Sequence, residues 1–116
     1  MRKLLVRLLI NALALWAAAS FIDGIHLSPS PVDVAIVALV FGLVNAVIKP
    51  VVFLLSLPFI LLSLGLFTFV VNGLMLYLAA GLTSGLAVDG LGAAILGSLV
   101  VSIVSFALSL LLRDDD

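Results

Sequence analysis

Few side chains in this sequence could do chemistry. There is one histidine, His26, close to Asp23, and there is no cysteine. One imidazole and one carboxylate are too few for a metal site, so His26 reads as an exposed loop residue. No Ser/His/Asp set, His-x-x-Glu pair or phosphate-binding glycine loop is present. The expectation is therefore a non-enzyme with no cofactor and no metal. What remains is a pattern of small and polar residues at helical spacing. Ala38, Gly42, Asn45 and Lys49 step by four, three and four, and Ser98, Ser102, Ser105 and Ser109 repeat those steps. Such steps place each set along one helix face. Asn11 and Asn72 add an amide to two further apolar runs.

Two uses fit these stripes. Small residues let helices approach closely, and hydroxyls or amides bond across the contact. Alternatively, the stripes line an aqueous path, within one chain or across a homo-oligomer. No acidic residue lies within the apolar runs, which argues against a proton relay or a cation-coupled carrier.

The elements that carry the stripes follow from composition. Of 116 residues, 66% are hydrophobic and 9% charged, and the mean hydropathy is +1.52. A water-soluble chain of this size could not bury so much apolar surface, so its solvent is largely lipid. The same numbers exclude a disordered chain, and a net charge of −1 excludes a basic nucleic-acid binder. A crossing helix needs about 20 apolar residues. Four such runs occur, at 4–22, 32–48, 65–82 and 91–112, the second entered through Ser28-Pro29-Ser30-Pro31 with an expected N-cap at Asp33. Arg2, Lys3, Arg7, Lys49 and Arg113 all fall at one end of these runs, and the opposite loops, 23–31 and 83–90, contain no Lys or Arg. Both termini, including the acidic tail 113–116, are therefore expected in the cytoplasm. The start also has the pattern of a signal peptide, with Ala17-Ala18-Ala19 as a cleavage site.

An internal repeat argues against that leader. A shift of 61 aligns Asn11-Ala12-Leu13 with Asn72-Gly73-Leu74, Trp16 with Tyr77, Ala18-Ala19 with Ala79-Ala80, and Gly24 with Gly85. A shift of 60 aligns Leu39-Val40 with Leu99-Val100, Gly42 with Ser102, and Asn45 with Ser105. The expected fold is all-α in the membrane: a hairpin over 1–49, an apolar connector over 50–64, and a second hairpin over 65–112. The two copies have the same orientation, the parallel kind of repeat. Two arrangements fit the connector, which contains Pro50 and Pro58. It re-enters the membrane as a hairpin turning at Ser56-Leu57-Pro58, the preferred reading, or it lengthens both neighbours through a kink at Lys49-Pro50.

The chain also resembles a known family, the four-span phage holin superfamily IV, a group of small bacterial membrane proteins that includes the YvlD-like proteins. The resemblance rests on Asn11-Ala12-Leu13, Gly24-Ile25, the run from Gly42 through Lys49-Pro50, Ser56-Leu57-Pro58, Leu64-Gly65-Leu66-Phe67 and Asn72-Gly73-Leu74-Met75. It implies a four-span protein of the bacterial cytoplasmic membrane that associates with itself and forms a pore. The residues alone also fit a non-catalytic envelope-stress or structural protein packing with a partner, or a small channel or transporter. Lipid and further copies of the chain are the expected partners, and no protein partner is identified by the sequence.

Overall fold

The computed structural model describes residues 2–112. Its elements are α1 (Arg2–Phe21), β1 (Ile25–Leu27), α2 (Pro31–Leu43), a π turn (Val44–Ile48), α3 (Lys49–Leu55), α4 (Leu57–Leu62), α5 (Phe67–Leu82), β2 (Leu86–Val88) and α6 (Leu91–Leu111). α1 packs against α2 and α6, and α5 packs against α6, α2 and α3. Among the described residues, three helices are long and apolar enough to cross a bilayer: Arg2–Phe21, Pro31–Leu55 and Leu91–Leu111. α5 is apolar but has 16 residues, about 24 Å of helix.

α2 starts at Ser30, which is the N-cap, with Pro31 at the first helical position. Proline suits that position because its missing N–H would have had no partner there. Asp33 is thus inside the first turn rather than the cap, and its Oδ2 accepts a 2.9 Å hydrogen bond from Ser28 Oγ. The helix does not stop before Lys49-Pro50 but continues past it, as in the second of the two arrangements read from the sequence. A proline inside an α-helix removes one N–H and crowds the carbonyl four residues back. The turn at 44–48 widens, Lys49 N–H reaches back to the carbonyl of Val44, and the helix continues to Leu55. The chain then breaks at Ser56, within the turn expected at Ser56-Leu57-Pro58, and α4 follows as a separate short helix. At the end of α4, Leu64 N–H bonds Leu61 O and Gly65 N–H bonds Ile60 O. This is a Schellman closure. Leu64 adopts a φ of 57° there, a left-handed conformation that a leucine holds at a cost of about 1–2 kcal/mol.

Two three-residue strands in the opposite loops were not anticipated. They pair antiparallel, with Ile25 facing Val88, His26 facing Ala87 and Leu27 facing Leu86. Two flanking bonds, Ser28 N–H to Gly85 O and Asp89 N–H to Gly24 O, are both 2.8 Å. Each bond has the other as its counterpart 61 residues away. Burial repeats at the same spacing. Ile10, Ala14, Leu15, Ala18 and Ile25 are buried, and so are Val71, Met75, Leu76, Ala79 and Leu86. On the second helices Val37, Ala38 and Phe41 are buried, as are Gly97, Ser98 and Val101, each 60 residues on. Most of these residues belong to one hydrophobic core cluster.

Candidate functional site: polar seams and a basic end

The helix directions sort the charges. Arg2, Lys3 and Arg7 lie in the first turns of α1, and Lys49 lies 18 residues along the helix that starts at Pro31, about 27 Å from that start. The described carboxylates, Asp23, Asp33 and Asp89, lie at the other end, in or beside the paired strands. Arg113 and the acidic tail fall outside the described residues. His26 does not partner its sequence neighbour Asp23. Its Nε2–H reaches Asp89 Oδ2 across the strands at 3.2 Å, and both side chains are exposed. No cluster of three metal-ligating side chains occurs among the described residues.

The stripes divide between packing and surface. Ala38 is buried and Ser98 is 4% exposed. Ser98 Oγ donates to the carbonyl of Ile95 on its own helix, at 2.9 Å. Further along α6, Ser105 is half-buried, while Ser102 and Ser109 are exposed. On the other stripe Gly42 and Lys49 are half-buried. Asn45 does not bond a neighbouring helix as expected. Its Nδ2 donates to Phe41 O at 3.0 Å, inside the turn that widens before Pro50. Its amide supports an irregular turn in its own helix. Asn11 packs at the α1–α2 seam, where a Cβ on Gly42 would lie 3.2 Å from its Nδ2. Its counterpart Asn72 has a buried Oδ1 with no hydrogen-bond partner among the described residues.

One close approach to neighbouring backbone at a glycine was missed by the sequence pattern. It is at Gly73, where a Cβ would meet Ile95 Cγ1 at 2.7 Å and the Ile95 backbone at 3.0 Å. The signal was present: Gly73 follows Asn72 in the repeated Asn-small-Leu motif. Also unanticipated is a cavity of about 530 Å³ at the basic end, lined by Arg2, Lys3, Val6, Arg7, Ile10, Ser109 and Leu112. It brings the first turns of α1 against the last turns of α6, a juxtaposition with no local sequence signal.

Comparison with known proteins agrees with this architecture. The family described as "Mycobacterial 4 TMS phage holin, superfamily IV" matches residues 2–107. An uncharacterised protein of Streptomyces coelicolor, SCO3922, is 46% identical over 125 aligned positions that cover 100% of both chains. The uncharacterised membrane protein YvlD of Bacillus subtilis is 37% identical over 105 positions, covering 89% of this chain and 87% of that one. No solved structure matches. The apolar helices and these similarities make it a small membrane protein, and the chain belongs to the superfamily IV phage holin family of four-span proteins.

Proposed function

We propose that the protein crosses the bacterial cytoplasmic membrane four times, as two copies of one hairpin with both termini inside, and self-associates there to breach the barrier. The repeated burial at 60 and 61 residues and the paired flanking hydrogen bonds support the duplication. The one-sided charge supports the orientation. In this arrangement α5 is the fourth crossing, α3 and α4 form an apolar hairpin at the cytoplasmic interface, and catalysis has no part.

Self-association is carried by one observation: Ser102 and Ser109 form the exposed half of the α6 stripe, whereas Ala38 and Ser98 are consumed in packing. A hydroxyl facing hydrocarbon gains little, and a second copy laid along α6 would give Ser102 a partner. A ring of such copies encloses a row of hydroxyls. The burial of Ala38 and Ser98 favours a second reading, in which the stripe is packing alone and the protein acts on a partner without a pore.

Inducible expression with membrane-potential and dye-release readouts separates the two. The wild-type chain is expected to release dye, and Ser102→Leu to cut release at least about tenfold, the factor that 1.4 kcal/mol of assembly free energy commands. Ser102→Leu should retain its melting temperature while shifting cross-linked oligomers toward monomer. Oligomers without release at comparable wild-type expression would eliminate the pore and leave the packing reading.

A further inference from the structure

We propose that α4 and the turn joining it to α5 form a one-leaflet wedge, lying just below the headgroups of the cytoplasmic leaflet and covered by lipid acyl chains. The inference rests on the four-crossing reading and deepens it, naming the layer that the apolar hairpin meets. Helix length sets the depth. The paired strands hold the two outer loops at one level, with Ile25 facing Val88 and Leu27 facing Leu86. α1 ends at Phe21, four residues before β1, and α5 ends at Leu82, four residues before β2. From that common level α1 runs 20 residues, about 30 Å, and α5 runs 16, about 24 Å. As equivalent helices of the repeat they share a tilt, so α5 begins about 6 Å short of the level of Arg2. Where α1 carries Lys3 and Arg7, the second copy has Leu64 and Thr68, 61 residues on. No charged residue occurs from Pro50 through Val88, so no charge draws the turn out to the headgroups.

Two features of the turn suit hydrocarbon and serve no purpose in water. The first is its backbone. The N–H groups of residues 63–69 all bond inside the segment. Ser63, Leu64, Gly65 and Leu66 donate to the carbonyls of Phe59, Leu61, Ile60 and Ser63, and Thr68 and Phe69 donate to those of Gly65 and Leu66. Ser63 Oγ takes the remaining donor, Phe67 N–H, at 2.9 Å, and gives its own proton to Ile60 O at 3.2 Å. Irregular backbone is excluded from hydrocarbon because its polar groups go unpaired there, and this turn removes that obstacle on the donor side. The second feature is Leu64. It stands at the left-handed position after α4, with φ 57°, where glycine or asparagine is usual. It is also 94% exposed. In water this leucine bears both the strain and the exposure, whereas in lipid the exposure is favourable. Around it Leu55, Phe59, Leu61, Leu62 and Leu66 are exposed, and Ile60 alone of α4 is buried. A helix apolar around its circumference needs an apolar surround. The same surface continues along α5 through exposed Phe69, so the acyl chains that cover the fourth crossing also cover the wedge.

The test places nitroxide spin labels on the full chain in lipid vesicles. The chain has no cysteine, so Leu62→Cys and Leu64→Cys each carry one label. Both side chains are exposed, so a label there displaces no packing, and circular dichroism confirms the helix content. Two collision partners are compared: oxygen, which concentrates in hydrocarbon, and a water-soluble nickel chelate present on both sides of the membrane. Leu13→Cys, exposed midway along α1, is the hydrocarbon reference, and Leu112→Cys, after the end of α6, is the interfacial one. The oxygen-to-nickel collision ratio at Leu62→Cys and Leu64→Cys should be several times that at Leu112→Cys and below that at Leu13→Cys. Nickel-dominated collisions at either wedge site would overturn the proposal in favour of a turn in the cytoplasm. Weak collisions with both reagents, with broadened and immobilised spectra, would overturn the lipid occupant in favour of a second copy of the chain. A ratio equal to that of Leu13→Cys would overturn the one-leaflet depth. Nickel-dominated collisions at Leu13→Cys itself would overturn the four-crossing reading, and the wedge with it.

Discussion

Gly73→Leu is expected to destroy the bundle, and Gly73→Ala to destabilise it by about 1–3 kcal/mol, the usual cost of forcing atoms into a packed contact. The reason is where the new atoms go. A Cβ at Gly73 meets the Cα and N of Ile95 at 3.0 Å. Backbone cannot swing aside, so α5 and α6 must separate. Gly42 contrasts with it, because a Cβ there meets only the tip of the Asn11 side chain at 3.2 Å. A side-chain tip can rotate, so Gly42→Ala should cost well under Gly73→Ala. Gly81, on the same helix as Gly73, has nothing within 4 Å of an added Cβ, and Gly81→Leu should be close to neutral. Thermal unfolding of all four variants in one detergent gives the comparison. A Gly73→Leu protein that melts with wild type would mean that α5 and α6 do not pack at this place.

A disulfide between His26→Cys and Ala87→Cys is expected to lock the fold. The two positions face each other across the strands, and both are exposed. Facing residues in an antiparallel pair have Cα atoms about 4.5–5.5 Å apart, within reach of a disulfide. The chain has no cysteine, so no competing thiol confuses the result. The bridge spans a long loop and joins the two hairpins directly. It should add about 2–4 kcal/mol of stability, lost again on reduction. The oxidised protein should run as a compact monomer on a denaturing gel. A covalent dimer as the main product would mean that β1 pairs with β2 of a second copy.

How much of this was legible depends on what each feature rests on. The long apolar helices were, because hydropathy integrates over many residues and tolerates Arg7 and Asn11 without losing the signal. The end of the second span was only half legible, since continuation past Lys49-Pro50 was one of two readings and not the preferred one. Lys49-Pro50 carries a strong stop signal, but a local widening at 44–48, helped by the Asn45 amide on Phe41 O, lets the helix pass. A propensity rule cannot see that compensation. The strands were hidden because Ile25–Leu27 and Leu86–Val88 are too short to show alternation, although their pairing follows from the repeat once the copies are superposed. The stripes were legible as helix faces. Which part of each face is buried was not, since that depends on where neighbouring helices cross. The basic cavity needed the tertiary structure outright, because it joins residues from opposite ends of the chain.

The account stands on four crossings with two outward loops and a basic inner end, and cysteine accessibility tests that most directly. Pro29, Ser84 and Ser109 are exposed positions in the first loop, the second loop and the basic end. Single cysteines at each, treated in intact cells with a membrane-impermeant maleimide, should label fully at Pro29→Cys and Ser84→Cys. Ser109→Cys should label only after permeabilisation. Labelling at one loop and not the other, or at Ser109→Cys from outside, would contradict the four-crossing arrangement.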